Sequence, residues 1–362
     1  MKNLTPLTLT EQQDVSANPP LADLKLQDII KTLPPECFTK SRRKAWLGVL
    51  VSILSVALGE VAIALSPWFL LPIAWLFTGT ALTGFFVLGH DCGHHSFAKK
   101  RWVNNLVGHL MFLPLLYPFH SWRLLHDIHH AHTNKLHVDN AWHPWTDTMY
   151  LSENRWVQGI YRFVRGRLWT LASVLHLILI HFDPSRVTKR NRAKVKFSVA
   201  MVAIFAAIFF PVLVAFTGVW GVVKFWLLPW LVYHFWMSTF TLLHHTDPTI
   251  PFKNKADWNA VEAQLCGTVH WNYSRWIEWL CHDINVHVPH HISVAIPFYN
   301  LRLAYASLNE NWGEHLKPEQ QFSWQQTFDI IDQCWLYDPE KIYLSYPQFK
   351  AQQNAIVDSP NQ

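Results

Sequence analysis

Four stretches of the chain run apolar for about twenty residues, the length needed to cross the hydrocarbon core of a bilayer: 45–65, 68–88, 197–217 and 219–243. Only Ser66 and Pro67 separate the first from the second, and Gly218 and Gly221 lie at the junction of the third and fourth. The pattern therefore predicts two helical hairpins. Two shorter apolar stretches, 103–119 and 168–182, fall between them, and the first contains Pro114 and Pro118. Both are too short to span and predict interfacial or half-inserted helices.

Lys and Arg collect on the cytoplasmic flanks of membrane spans. Here Arg42, Arg43 and Lys44 precede the first span, Lys99, Lys100 and Arg101 follow the second, and Lys189, Arg190, Arg192, Lys194 and Lys196 precede the third. The chain termini and the whole 90–196 connection are thus expected in the cytoplasm. The expected fold is an all-α integral membrane protein, four transmembrane helices in two hairpins with a cytoplasmic helical cap. Residues 1–40 are expected as a cytoplasmic, partly disordered tail, 41–304 as the membrane domain and 305–362 as a cytoplasmic C-terminal segment; the start of the chain lacks the apolar core of a signal peptide.

Composition strengthens the membrane reading. Half of the 362 residues are hydrophobic and only 15% are charged, well below the ~25% of an ordinary soluble domain. The chain holds 20 Trp, a residue enriched where membranes meet water. Its five cysteines are scattered without a CxxC pair, which argues against a disulfide framework and against a Cys-ligated metal. A net charge of +5 suits an anionic membrane surface and gives no reason to expect a nucleic-acid partner. The 22 histidines are the other anomaly, since imidazole is the commonest protein ligand of transition metals.

Three of the histidine groups are tight: His90-Asp91-Cys92-Gly93-His94, His126-Asp127-Ile128-His129-His130 and His287-Val288-Pro289-His290-His291. Residues three and four apart share one helix face, so each group can aim two or three imidazoles at one point. His90 and His94 end the second predicted span, the second group lies in the cytoplasmic connection, and the third follows the fourth span by about forty residues. All eight are expected at one face of the membrane, enough to surround two metal ions. His244 and His245 end the fourth span on that face and can add a ligand. Ligating imidazoles need acceptors for their free N–H groups, and Asp91, Asp127, Asp139 and Asp283 are the candidates. His95, His132, His137 and His143 adjoin the groups but fall off the ligand face, while His109, His120, His176, His181, His234 and His315 lack partners at ligand spacing and are expected to be structural or interfacial. Two metals among neutral ligands, beside an apolar bundle, point to O2 chemistry on a greasy substrate, and so to iron.

The order and spacing of HDCGH, HDIHH and HVPHH resemble the membrane acyl-lipid desaturases, most closely the cyanobacterial delta-12 (oleate) branch, over about 45–304. The resemblance implies that His90, His94, His126, His129, His130, His287, His290 and His291 ligate two iron ions. It also implies a further ligand at the end of the fourth span, with His245 the better match and His244 the lesser. His282 matches a histidine found just before the third group in plant relatives, as a ligand or a neighbour of one. His287 stands where front-end desaturases carry Gln, and no HPGG haem motif is present, so electrons are expected from a separate carrier, ferredoxin. The implied reaction removes two hydrogens from adjacent methylenes of an acyl-lipid chain at the expense of O2, in a cyanobacterial plasma or thylakoid membrane.

The alternatives within the same metal logic are an omega-3 (delta-15) desaturase and a lipid hydroxylase or ketolase; a different class is a metal transporter. A transporter predicts ligands near mid-membrane, whereas these collect at one face.

Overall fold

The computed structural model describes residues 21–338 and 340–358. The expected disorder of residues 1–20 lies outside the described residues. The stretch 21–40, expected as tail, instead packs on the body of the protein through short helical turns: Ile29 and Cys37 are fully buried and Leu33 nearly so. Apolar residues at 29 and 33 share one face of a turn, too short a pattern to register as an element.

Three helical stretches are long and apolar enough to cross a membrane: Arg42–Leu65, Trp68–Gly93 and Lys189–His245. The first helix, α1 (Arg42–Leu65), begins at Ser41, whose hydroxyl accepts the Lys44 N–H, and stops at Ser66-Pro67. After one turn the chain returns as α2 (Leu71–Gly93). Gly48 of α1 lies against Leu88, and Gly59 against Thr78, so the two helices are antiparallel. Then come α3 (Arg101–Phe112), α4 (Phe119–Ala131) and the amphipathic α5 (Arg155–Val164). A bend of 103° separates α5 from the helical segment Trp169–His181, which is the geometry of a broken or re-entrant element. That segment is fastened to the last long helix by Ser173 N–H to Ser238 Oγ at 3.0 Å and Trp169 Nε1 to Thr239 Oγ1 at 3.3 Å.

The 57 residues of Lys189–His245 are not one rod. Gly218 sits at φ 69°, a left-handed conformation that glycine adopts without strain. Across this break Phe210 and Trp226 stack edge-on with ring centroids 4.8 Å apart. An unbroken helix would separate them by roughly 24 Å at about 1.5 Å per residue. The chain therefore folds back at Gly218, into α6 (Arg192–Gly221) and, after a π-helical turn, α7 (Leu228–His245).

At the centre stands α2, buried from Thr78 to Gly93. It runs parallel to α7, because Gly79 meets Pro229 and Val232 while Thr80 Oγ1 accepts the Trp236 indole N–H at 2.8 Å. Two parallel helices bring their C-terminal turns, with His90 and His94 on one and His244 and His245 on the other, to the same end. The contact depends on Gly79, where an added Cβ would lie 2.4 Å from Val232 Cβ and 2.5 Å from the Pro229 carbonyl oxygen. We expect Gly79→Ala to destabilise the protein by about 1–3 kcal/mol, the usual range for an overpacked core. Thermal unfolding in detergent measures this, and an unchanged midpoint would mean that the two helices are not held at this distance.

By contrast α1 and α6 present apolar residues outward: Leu47, Leu50, Leu54, Leu58 and Val61 on the one, Phe197, Ile204, Ile208 and Val212 on the other, are all exposed. A helix stays apolar on its outer face when lipid is its solvent. This is a membrane protein.

Beyond α7 the chain builds an irregular cap with α8 (Val288–Ile292) and α9 (Leu301–Trp312). The expected boundary after residue 304 falls inside α9, which buries Leu301, Ala304, Tyr305 and Leu308 on one side. Two short strand pairs tie the C-terminal residues down: Trp271–Asn272 runs parallel to Gln320–Gln321, and Leu336–Asp338 antiparallel to Ile342–Leu344. The architecture is helical as expected, with these pairs the only strands among the described residues.

Candidate metal centre

The three histidine groups meet at the buried end of α2 and α7. His90 lies in the last turn of α2 and His94 at its C-cap. His126, His129 and His130 occupy the last turns of α4, where the i, i+3, i+4 spacing gives them one face. His287 caps α8, which then carries His290 and His291, and α7 contributes His245.

Their nitrogens fall into two sets, each with its atoms within 4.8 Å of one another: His90, His94, His126, His130 and His290 in one, His129, His245 and His291 in the other. In the first, His130 Nε2 is 3.0 Å from His126 Nε2 and 2.9 Å from His290 Nε2. In the second, His129 Nε2 is 3.3 Å from His245 Nε2. His287 adjoins the second set, its Nε2 3.1 Å from that of His291. The His130 and His291 rings stack at 4.4 Å, so the two sets are neighbours.

Burial, reinforced by the surrounding imidazoles, holds His126, His130, His287, His290 and His291 well below the usual histidine pKa. These rings are neutral at physiological pH, the form that binds a metal. Several of their nitrogens have no hydrogen-bond partner although they are buried: both of His90, Nε2 of His94, and Nδ1 of His130, His245 and His287. Each unpaired buried polar atom costs about 1–3 kcal/mol. Imidazole lone pairs converging on shared centres are stabilised by a cation there, and a donor set of nine imidazoles fits two transition-metal ions.

The supporting hydrogen bonds follow the sequence expectation in part. Asp139, wholly buried, has Oδ1 2.7 Å from His129 Nδ1 and is therefore the acceptor that turns His129 Nε2 toward His245. Asp127 lies 3.9 Å from His94 Nδ1, beyond hydrogen-bond length, with its side chain half exposed. Asp91 Oδ1 is 3.7 Å from His90 Nδ1, and its Oδ2 accepts the Phe298 N–H at 2.9 Å. Asp283 is elsewhere: it accepts from Arg302 of α9 at 2.6 Å. His282 is also apart, with Nε2 2.7 Å from Ser52 Oγ of α1. Both residues have positive φ in a tight turn, which swings their side chains away from the cluster. His244 stacks on His287 at 4.4 Å without joining either set.

Two residues escaped the sequence analysis. Gln264 Oε1 accepts from His291 Nδ1 at 2.7 Å, and its amide nitrogen donates to the His130 carbonyl. Thr133 Oγ1 donates to the His129 carbonyl at 2.8 Å and lies 3.3 Å from His291 Nδ1. Gln264 sits in a six-residue helix more than 130 positions from His130 with no motif around it, so no local signal marks it.

A cavity of about 540 Å³ opens beside the histidines. His90, His126, His129, His245 and His287 form part of its wall, and Phe86, Val87, Leu175, Leu179 and Met237 part of the rest. His176 and His181, expected to be structural, also line it. Its far wall is the bent pair of α5 and Trp169–His181, so the kink in that pair shapes the cavity.

Apolar membrane helices whose buried ends gather nine imidazoles beside a mainly apolar cavity make this a membrane enzyme scaffold able to hold two metal ions for chemistry on a hydrophobic substrate. The chain belongs to the fatty acid desaturase family, whose model matches residues 66–323. It is accordingly an oxidoreductase. The chain is 60% identical to the sn-1 oleoyl-lipid 12-desaturase of Synechocystis sp. over 96% of its length and 98% of the relative's. It is 54% identical to the enzyme of the same name from Anabaena variabilis, over 95% and 99%. With the chloroplastic omega-6 fatty acid desaturase of Glycine max it shares 50% identity over 88% of this chain and 75% of the relative.

Proposed function

We propose that this protein introduces a cis double bond at position 12 of an oleoyl chain carried on a glycerolipid, giving a linoleoyl chain. The observation that carries this reading is the near full-length likeness to oleoyl-lipid 12-desaturases in a chain whose histidines converge on a cavity. The stoichiometry is –CH2–CH2– + O2 + 2e⁻ + 2H⁺ → –CH=CH– + 2H2O, so two electrons come from outside; an acidic one-electron carrier such as ferredoxin suits the basic face of the protein.

In this reading His90, His94, His126, His130 and His290 hold one iron ion and His129, His245, His287 and His291 the other. Bound iron would supply the reduction of O2 and the oxidising power that removes the two hydrogens. The protein itself supplies position. Asp139 and Gln264 fix the rings of His129 and His291 through their Nδ1 atoms. The apolar wall of the cavity holds the acyl chain in line with the histidines and excludes water from the site. Four spans in two hairpins, turning at Ser66-Pro67 and Gly218, would set the site and the chain termini on the cytoplasmic face, with 41–304 as the core of the membrane domain.

The test is expression in a host that makes oleate but no linoleate, with double-bond location in the extracted lipids. A new cis bond at carbon 12 is expected. A bond at carbon 15 would make this an omega-3 enzyme, and a hydroxyl or ketone would make it an oxygenase.

A further inference from the structure

The reaction just proposed needs electrons delivered one at a time to a buried cluster, and the carrier has to approach where the histidines come nearest the surface. That place is the corner between α2 and α4. His94 Nδ1 is 3.9 Å from a carboxylate, Asp127, whose side chain is 53% exposed. As whole residues His94, His126 and His130 are half-buried, with the His94 side chain itself enclosed, whereas His129, His245 and His291 are buried.

The same corner is ringed with positive charge. Arg123 Nη1 is 3.5 Å from Nε2 of His95, the residue after His94. Lys40 Nζ donates to the His95 carbonyl at 2.6 Å. Arg101 lies within electrostatic reach of His95, and Lys99 of Lys40. Lys99, Lys100 and Arg101 are exposed on the turn into α3. None of these five cations belongs to an ion pair of the described residues, whose Lys and Arg partners to carboxylates are Lys31, Arg167, Arg186, Lys253, Arg275 and Arg302. Asp127 faces Arg123 and the buried Asp91 faces Lys40, so the corner keeps an excess of about three positive charges, counted at about one per side chain at neutral pH.

We infer that the surface made by Lys40, Lys99, Lys100, Arg101 and Arg123 is the docking site of an acidic one-electron carrier; this rests on the desaturase reading above. Opposite charge raises encounter rates and fixes orientation, which a carrier that must bind and leave for each electron requires. The contact continues inward through Trp122, the residue before Arg123 and buried in α4. Its ring stacks on His126 at 4.5 Å and lies 5.4 Å from His90, so aromatic contact links the patch to the cluster. Anionic lipid is the competing occupant, because Lys and Arg beside spans commonly meet phosphate. Two observations favour the carrier. Lys40 and Arg123 are far apart in sequence and are brought together on His95, beside a cluster histidine. The run of Lys189, Arg190, Lys194 and Lys196 flanks a span equally well, yet its helix carries none of the cluster histidines.

The experiment compares wild type with the Lys99→Gln, Lys100→Gln, Arg101→Gln triple variant, full-length and reconstituted in oleoyl-lipid vesicles. Electrons come either from a reduced plant-type [2Fe–2S] ferredoxin or from dithionite through a viologen dye. For the variant the KM for ferredoxin should rise roughly tenfold and its salt dependence should flatten, with dye-driven turnover unchanged. A control triple, Lys189→Gln, Arg190→Gln, Lys194→Gln, should leave the KM for ferredoxin as it was. The proposal is overturned by an unchanged KM in the first variant, by an equal rise in the control, which would assign the charge to the lipid surface, or by loss of dye-driven turnover. Wild type that forms no new double bond with either electron source would instead overturn the desaturase reading.

Discussion

Replacing His130 by alanine is expected to abolish linoleoyl formation and to lower bound metal at both positions. His130 Nε2 is within 3.0 Å of His126 and 2.9 Å of His290, so its loss opens the five-membered set at its centre. Its ring also stacks on His291, and removing it leaves the second set without that wall. Residues that act as one metal-binding unit are strongly non-additive, and activity should fall by about 10³-fold or more, below detection in a fatty-acid profile. Insertion should be unaffected, because α4 is not one of the long apolar helices. His132→Ala is the matched control: two residues further on, its ring faces Trp258 at 6.1 Å and belongs to neither set. Lipid extraction with elemental analysis of the purified protein gives both readouts. Linoleate at the wild-type level in the His130 variant would remove the ligand assignment.

The second large effect is expected from Asp139→Asn. Asp139 is an acceptor on all sides: Oδ1 takes the His129 Nδ1 proton at 2.7 Å and the Ala141 N–H at 2.9 Å, and Oδ2 takes the Asn134 N–H at 2.7 Å. An asparagine has one oxygen and an NH2 group in that space, so one of these N–H groups would face another donor. Either the His129 ring turns or the loop at Asn134 moves, and in both cases His129 Nε2 no longer meets His245. Loss of such a partner typically costs 10–100-fold in metal affinity or activity. The discriminating measurement is activity against added Fe(II): the variant should need about 10–100 times more iron for half its maximal rate. An activity loss that iron cannot relieve, or no loss at all, would show that the carboxylate has only a structural part.

His90 to His94 and the two HxxHH groups could be recognised without coordinates because three- and four-residue spacing on a helix is a local property. The same holds for the long apolar stretches, for the hairpin break at Ser66-Pro67 and for the reversal at Gly218, each set by a few neighbouring residues. The carboxylates show where local reading stops. Asp139 and Asp283 are alike in the sequence as neighbours of histidine groups, yet one holds His129 and the other binds Arg302. His282, five residues before His287, points to Ser52 because the turn at His282 and Asp283 takes positive φ. Gln264 and Thr133 hold His291 from segments that carry no pattern of their own.

By itself the sequence determined that this chain lives in a membrane and which imidazoles share a helix face, since hydropathy and helical period act over a few turns. Tertiary structure alone decided how those imidazoles divide into sets of five and three with His287 beside the second, which distant side chains orient them, and that residues 21–40 and α9 bury apolar side chains in the body of the protein. The physical reason is range: a hydrogen bond between positions 264 and 291, or a charge cluster joining positions 40, 101 and 123, forms only when packing of the whole bundle brings those segments together.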